Sequence, residues 1–335
     1  MRSIIRFVKF LIWSGLLLAL AGAAGLYYYA HHKLPVTQPI TLELRPGSSL
    51  KTAAAQLATA GVLQQPELFV LMTRVLGESS KIKAGNYEFT RPLTPLALLR
   101  RITRGDVTQV AITFVEGWTF KQMLKALQEH PKVRAETVAL KEPELLQKLG
   151  IAQPFAEGWF FPDTYYFSEG GSDLTILRRA HQLMLRHLEQ EWGRRAPGLP
   201  LKSPQEALIL ASIVEKETGK PEERGLVAAV FINRLRIGML LQTDPTVIYG
   251  MGEAFDGNIR KSDLTTDTPY NTYTRAGLPP TPIAMPGLEA LRATLNPAPS
   301  DALYFVARGD GTSKFSRTLA EHERAVTQYQ RRGRK

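Results

Sequence analysis

Cysteine is absent from the 335 residues. That excludes disulfides, a thiol nucleophile, iron–sulfur clusters, cysteine-ligated zinc and lipid attachment at an N-terminal cysteine. It leaves the compartment open, because a core of this size needs no disulfides. Histidine is scarce too: there are six, and no pair has convincing metal-ligand context. His322-Glu323 lacks the second histidine of a zinc-protease helix. His181 and His187, six apart on a basic helix, read as surface positions. No metal and no cofactor is expected. Nucleotide-binding glycine loops are missing, since Gly250-Met251-Gly252 and Gly309-Asp310-Gly311 lack the third glycine and the strand–helix setting. There is no Gly-x-Ser-x-Gly elbow. The pairs Ser48/Lys51 and Ser80/Lys83 have no Ser-Asp-Asn or Lys-Thr-Gly companions, and Ser212 and Lys216 are four apart, so a serine acyl-enzyme is disfavoured.

Acidic residues are missing from both ends. The net charge is +11, but residues 1–33 hold Arg2, Arg6, Lys9 and Lys33 without an acid, and residues 331–335 hold Arg331, Arg332, Arg334 and Lys335. The body between them carries only +3. The tail reads as a solvated end, and the near-neutral body is a poor nucleic-acid binder.

What the chain does have is one long apolar run. Phe10 to Ala30 is uncharged over 21 residues. As a helix it is about 31 Å long, enough to cross a hydrocarbon core. Arg2, Arg6 and Lys9 precede it, which puts the N-terminus in the cytoplasm, and Tyr27, Tyr28 and Tyr29 form an aromatic belt at the far end. The small-residue sites Ala19-Leu20-Ala21 and Ala21-Gly22-Ala23 give the rival reading, a cleaved leader. The run continues past them through Leu26, which favours a retained anchor. Either way residues 34–335 work outside the cytoplasm, where ATP and NAD are not supplied.

Beyond the anchor, Pro35 and Pro39 mark a stiff linker. Ile40–Leu44 reads as a strand, Arg45-Pro46-Gly47-Ser48 as a turn, Ser49–Ala60 and Pro66–Leu76 as helices, and Gly85–Thr90 as a strand. Strand–helix–helix–strand over this length resembles a LysM-like peptidoglycan-binding module. Pro95–Arg104 is a helix capped by Thr94 and stopped by Gly105. Thr108–Val115 alternates as a strand. Phe120–Glu129 and Asp173–Trp192 read as helices, and Ala135–Leu149 as a helix that Pro143 divides. The aromatic stretch from Glu157-Gly158-Trp159-Phe160-Phe161-Pro162 to Phe167 reads as irregular. It is either packing between domains or a platform on which pyranose C–H faces stack. The chain is largely helical from Pro204 to about Leu240 and loop-rich to Gly287. Leu303–Ala307 is a short strand, and Thr318–Arg331 a terminal amphipathic helix.

The chemistry concentrates on one helix, Ser203 to Gly219. Ser203 with Glu206 is a capping box, Pro204 suits the first position, and Gly219 suits the stop. With Leu208 set at zero and roughly 100° per residue, Ile209, Ile213, Leu210 and Val214 make an apolar arc with Glu217 at its centre. Glu215 falls on the smaller, more polar side. A carboxyl in an apolar arc at the negative end of a helix has its pKa raised twice over, by desolvation and by the helix dipole. A general acid at neutral pH needs that property. The competing reading of Glu215-Lys216-Glu217 is a frayed, solvated turn.

Downstream residues form an ordered set: Ala211-Ser212-Ile213-Val214-Glu215-Lys216-Glu217-Thr218, Val230-Phe231-Ile232-Asn233-Arg234-Leu235, Leu241-Gln242-Thr243-Asp244-Pro245-Thr246-Val247-Ile248-Tyr249-Gly250, Tyr270-Asn271-Thr272-Tyr273, Gly277-Leu278-Pro279-Pro280 and Pro282-Ile283. It resembles the endolytic murein transglycosylase (YceG-like) family over nearly the whole chain. The resemblance implies an α+β protein in six parts: cytoplasmic residues 1–9, a transmembrane anchor 10–30, a linker 31–39, a LysM-like βααβ domain 40–107, a mixed α+β catalytic domain 108–330 and a basic tail 331–335. It implies cleavage of the MurNAc–GlcNAc β-1,4 bond within nascent glycan strands, leaving 1,6-anhydro-MurNAc ends, with Glu217 as the catalytic residue. Asn233, Gln242, Asp244, Asn271 and Tyr273 are the candidates to support substrate. The implied setting is the bacterial inner membrane facing the periplasm, beside peptidoglycan synthases and with no nucleic acid. The rivals are a muramidase that uses water and a non-catalytic peptidoglycan-binding scaffold.

Overall fold

The computed structural model describes residues 2–34, 36, 40–45, 47–90 and 92–331; side chains are described from Arg6 to Gln330, except that of Val8. The expected linker prolines Pro35 and Pro39, Pro46 of the turn and the tail 332–335 lie outside the described residues. The protein is mixed α+β and divides into two compact units, residues 1–110 with 166–170, and 111–165 with 171–335.

The first unit begins with helix α1 (Arg2–His31). Among the described residues it is the one helix long and apolar enough to cross a membrane, over Lys9–His31. Phe10, Ile12, Trp13, Leu17 and Leu18 are exposed, a pattern that a membrane-spanning helix shares. Its C-terminal end packs: Leu26, Tyr29 and Ala30 join the core of the unit, and the Tyr29 hydroxyl donates to the Gln65 carbonyl at 3.1 Å. β1 (Ile40–Leu44), α2 (Leu50–Thr59), α3 (Pro66–Val75) and β2 (Gly85–Phe89) follow. The strands pair antiparallel with Ile40 opposite Phe89 and Leu44 opposite Gly85. Alternation turns Tyr87 and Phe89 inward onto Leu57, Phe69 and Met72. α4 (Pro95–Arg104) buries Leu98, Leu99 and Ile102. Thr94 caps it by accepting from the Ala97 N–H at 3.1 Å, and Gly105 closes it. β3 (Gln109–Thr113) comes next.

In the second unit, α5 (Phe120–Glu129) starts on a Thr119–Gln122 capping box. β4 (Val133–Arg134) precedes α6 (Glu142–Leu149); β5 (Thr164–Ser168) begins in this unit and ends in the first, and β6 (Gly171–Ser172) pairs parallel with β4. Residues 135–141 are not helical, contrary to the sequence expectation. The buried Asp173 carboxylate takes the Glu136 N–H at 3.1 Å, the Thr137 N–H at 3.0 Å and the Thr137 hydroxyl at 2.7 Å. Those donors are then lost to a helix. Pro143 sits in the first turn of α6 rather than inside a helix. The aromatic segment is core within this unit: Trp159, Phe160, Phe161 and Tyr165 are buried, and Phe160 stacks on Phe120 at 5.0 Å. No stacking platform for a sugar is exposed by these four rings. His181 is not a surface residue either. It is buried on α7 (Asp173–Gly193), with Nδ1 2.9 Å from the Trp159 carbonyl.

α8 (Pro204–Glu217) is the centre of the unit, packed by α7, α9 (Pro221–Arg236), α10 (Asp244–Met251) and α12 (Leu288–Leu295); α11 (Lys261–Thr265) lies in the intervening loops. Residues 207–214 are all buried. Leu208, Ile209, Leu210, Ile213 and Val214 each gain roughly 1.5–3 kcal/mol from burial, an upper estimate of about 15 kcal/mol for the helix. Ser212 is spent on structure: its hydroxyl donates to the Ile209 carbonyl at 2.7 Å and accepts from the Ile283 N–H at 3.0 Å. α8 stops at Glu217 with Thr218 extended, so Gly219 is not the stop that the sequence suggested. Pro221 forces the residue before it out of helical geometry, and Lys220 is indeed extended. The hairpin β7 (Tyr304–Ala307) and β8 (Ser313–Ser316) leads to α13 (Leu319–Val326) and a wider turn Thr327–Arg331.

Candidate active site

The end of α8 opens into a cleft of about 580 Å³ in the second unit. Glu217 is at its base. Arg234 enters from α9, Gln242 and Asp244 from the start of α10, Tyr273 from the following loop, Tyr304 from β7 and His322 from α13. Helix length sets the position of Glu217: Ser203 fixes the start by accepting from the Glu206 N–H, and the acid is the last helical residue.

The Glu217 carboxyl accepts a hydrogen bond from the Thr243 hydroxyl. Thr243 is itself fixed, its N–H donating to Thr272 Oγ1 at 3.1 Å and its carbonyl accepting from the Thr246 hydroxyl at 2.8 Å. Burial pushes the Glu217 carboxyl above the usual range, and the Asp244 charge pushes the same way. The Thr243 hydroxyl and the Arg234 cation pull down, without reversing the shift. Asp244 accepts from the Tyr273 hydroxyl at 2.5 Å. Burial first, then that bond, push the phenol upward, so Tyr273 keeps its proton. Arg234 is buried, donates to the carbonyls of Leu303 and Leu241 at 2.7 Å each, and lies 5.4 Å from the Tyr304 ring centre. Burial lowers its pKa, yet guanidinium stays a cation. Gln242 has φ of 48°, a left-handed backbone that costs a non-glycine residue about 1–2 kcal/mol. Its N–H is tied to the Thr272 carbonyl at 3.1 Å.

Four of the six sequence candidates therefore meet here: Glu217, Gln242, Asp244 and Tyr273. Asn233 and Asn271 do not line the cleft. Asn233 donates to the carbonyls of Ser300 and Ala302 at 2.9 and 3.1 Å. Asn271 donates to the carbonyls of Asp263, Leu264 and Thr266 and accepts the Tyr273 N–H at 2.9 Å. It holds the loop that presents Tyr273. Asn271→Ala is expected to cost about 2 kcal/mol, because buried carbonyls lose their donor. A lower urea midpoint with unchanged slope is the check.

Sequence reasoning missed Thr243, Arg234, Tyr304 and His322. Thr243 stood between two candidates. Arg234 was one of three arginines on its helix, with nothing local to single it out. Tyr304 and His322, ring centres 5.2 Å apart, carry no local signal. It also misplaced Glu215, whose carboxyl is buried and raised, by desolvation above all. Glu215 accepts the Gly287 N–H at 2.9 Å and faces Arg224 at 3.9 Å. It is committed to packing and does not line the cleft. With Glu215 bonded to the Gly287 N–H and Glu217 to the Thr243 hydroxyl, the frayed-turn reading fails. No group of His, Cys, Asp and Glu suited to a metal occurs among the described residues.

Comparison with known proteins agrees with the residues that carried the resemblance. The endolytic murein transglycosylase of Bacillus subtilis is 30% identical over 308 residues, covering 87% of this chain and 84% of that protein. The endolytic murein transglycosylase of Streptococcus pneumoniae is 28% identical over 360 residues; the chain is covered to 96% and spans 64% of that longer protein. The 2.6 Å crystal structure of a YceG-like protein from Listeria monocytogenes aligns with a TM-score of 0.54 at 28% identity, covering 86% of this chain and 98% of that one. Residues 42–328 match the YceG-like family, and the chain belongs to that family.

Proposed function

We propose that the protein is an endolytic peptidoglycan transglycosylase, cutting the MurNAc–GlcNAc β-1,4 bond inside glycan strands with Glu217 as its acid and base. The observation that carries this reading is the carboxyl of Glu217 at the end of α8, raised by desolvation, held by the Thr243 hydroxyl and lining a polar cleft. A glycosidase that uses water needs two carboxylates in separate roles. A transglycosylase needs one, because the substrate supplies the nucleophile. Glu217 delivers its proton to the bridging oxygen as the C1–O bond breaks. The C6 hydroxyl of the same MurNAc then closes on C1, and its proton returns to the Glu217 carboxylate. One C–O bond replaces another, no water is consumed, and the acid is regenerated. Thr243 orients the carboxyl. Asp244, held by Tyr273, places negative charge near the developing oxocarbenium. Gln242 offers its amide to the sugar, and Asn233 and Asn271 hold the surrounding loops.

The anchor 10–30, with Arg2, Arg6 and Lys9 on the cytoplasmic side, would hold the enzyme at the inner membrane with its bulk in the periplasm. The βααβ arrangement of residues 40–107 supports a LysM-like glycan-binding role, with 108–330 catalytic. This setting suits work on nascent strands beside the synthases that make them, with linker 31–39 and tail 331–335 as connecting and solvated pieces. The test is mass spectrometry of uncross-linked strands after digestion. The expected product ends in 1,6-anhydro-MurNAc, lighter by one water than a hydrolysed end. A reducing MurNAc end would identify a water-using muramidase, and intact strands a binding scaffold.

A further inference from the structure

α10 faces two cavities. Asp244 at its start lines the Glu217 cleft, and Tyr249 lines a second cavity of about 460 Å³ in the same unit. The two residues are about 7.5 Å apart along the helix axis. The turn after α11 is shared in the same way, since Tyr270 faces the second cavity and Tyr273 the cleft.

The second cavity has aromatic and aliphatic walls, among them Phe120, Leu124, Phe155, Tyr249 and Tyr270. Tyr249 and Tyr270 meet edge to face at 4.9 Å. Gly250 permits that packing, because a Cβ there would stand 3.1 Å from the Tyr270 Cβ. The buried polar group is Glu157, 7% exposed; Glu142 and Lys121, both exposed, also line the cavity. Its carboxyl accepts from the Phe120 N–H at 2.9 Å and the Tyr249 hydroxyl at 3.1 Å. Tyr270 adds a hydroxyl, 2.8 Å from that of Thr281. Burying a carboxyl is costly, and anchoring one N–H at the start of α5 would need only a neutral amide. An apolar cavity with a few converging polar groups, one of them a perturbed acid, is the general form of a small-ligand site.

We propose that this cavity is a second saccharide subsite, taking one pyranose ring of the strand whose bond is cut at Glu217. Pyranose C–H faces suit the aromatic walls, and ring hydroxyls suit the Glu157 carboxyl and the tyrosine hydroxyls. The two cavities share α10 and the turn after α11 as walls, with Asp244 and Tyr249 about 140° apart around the helix. The proposal rests on the glycan-cleaving reading for the identity of the strand.

The absence of cysteine makes a clean test available. Lys121 stands at the rim, exposed and paired with Glu253. In full-length Glu217→Gln protein, Lys121→Cys carries a single fluorophore. Titration with the β-1,4-linked hexamer of N-acetylglucosamine is expected to change its emission saturably. Leu124→Arg, which fills the cavity from the α5 wall, is expected to weaken hexamer binding at least tenfold, and Leu124→Met to stay within twofold. In catalytically intact protein, Leu124→Arg is expected to raise KM for uncross-linked strands in the same proportion, with kcat within twofold. A silent label overturns the subsite whether or not Leu124→Arg folds. An unmoved KM in a folded Leu124→Arg protein overturns it too. Anhydro products with a silent label would leave the enzyme reading standing and remove the subsite. A responding label without anhydro products would do the reverse.

Discussion

Glu217→Gln is expected to lower turnover of glycan strands at least 10³-fold and to raise stability at neutral and alkaline pH. General acid–base catalysis contributes roughly 10²–10⁴-fold, and in the proposed mechanism Glu217 is acid and then base, so the upper part of that range applies. The amide keeps the shape of the side chain and can still accept from Thr243, but it has no proton to deliver. The stability change follows from the direction of the pKa shift. Burial raises the folded-state pKa of Glu217 above its unfolded value. Its contribution is therefore full below the unfolded pKa and lost as pH rises through the folded one. Glutamine removes that loss, so the variant should melt higher than wild type at pH 8 and level with it at pH 4. Activity of the wild type should fall on the alkaline side, as the acid form is depleted. Anhydro-product release and calorimetry at the two pH values measure both effects. Activity within tenfold of wild type would move the acid elsewhere. Glu215→Gln is the discriminating control: it disturbs the contacts with Gly287 and Arg224 and should affect stability more than chemistry.

Why Glu217 was legible in the sequence, and Arg234, Thr243, Tyr304 and His322 were not, is a matter of range. An acid in the apolar arc at a helix end is a local pattern, and α8 kept that pattern to its last residue. The limits of α4 and α5 were local as well, set by Thr94, Pro95, Gly105 and the Thr119 box. The misreadings came from partners far along the chain. Residues 135–141 are drawn out of helical form by Asp173. His181 is buried through the Trp159 carbonyl. Asn233 and Asn271 have the amides a sugar site wants, but carbonyls from other loops had already taken them. Glu215 was placed by helix angle on the small, polar side. That side is buried too, because α8 is surrounded, and angle alone has no access to that.

Glu157 supplies the second large effect, because the wild type is expected to lose about 3 kcal/mol of stability through this one group as pH rises from 4.5 to 8. Desolvation lifts its carboxyl from 4.5 to about 7, against the pull of the Phe120 N–H and the Tyr249 hydroxyl. Each pKa unit is about 1.4 kcal/mol. The stabilising protonated form is fully present below the unfolded value, and its contribution is gone once pH has passed about 7. Glu157→Gln keeps an acceptor for Phe120 and a polar partner for Tyr249. Urea unfolding should therefore find it equal to wild type near pH 4.5 and more stable by up to about 3 kcal/mol at pH 8. The difference between the two proteins cancels other titrating groups, Glu215 and Glu217 included. A difference that stays flat with pH would mean that water reaches the carboxyl and that the cavity floor is wet. Tyr249→Phe sharpens the test. The Tyr249 hydroxyl helps hold the charged form, so its loss should push the Glu157 carboxyl further up and carry the pH-dependent fall in stability to higher pH.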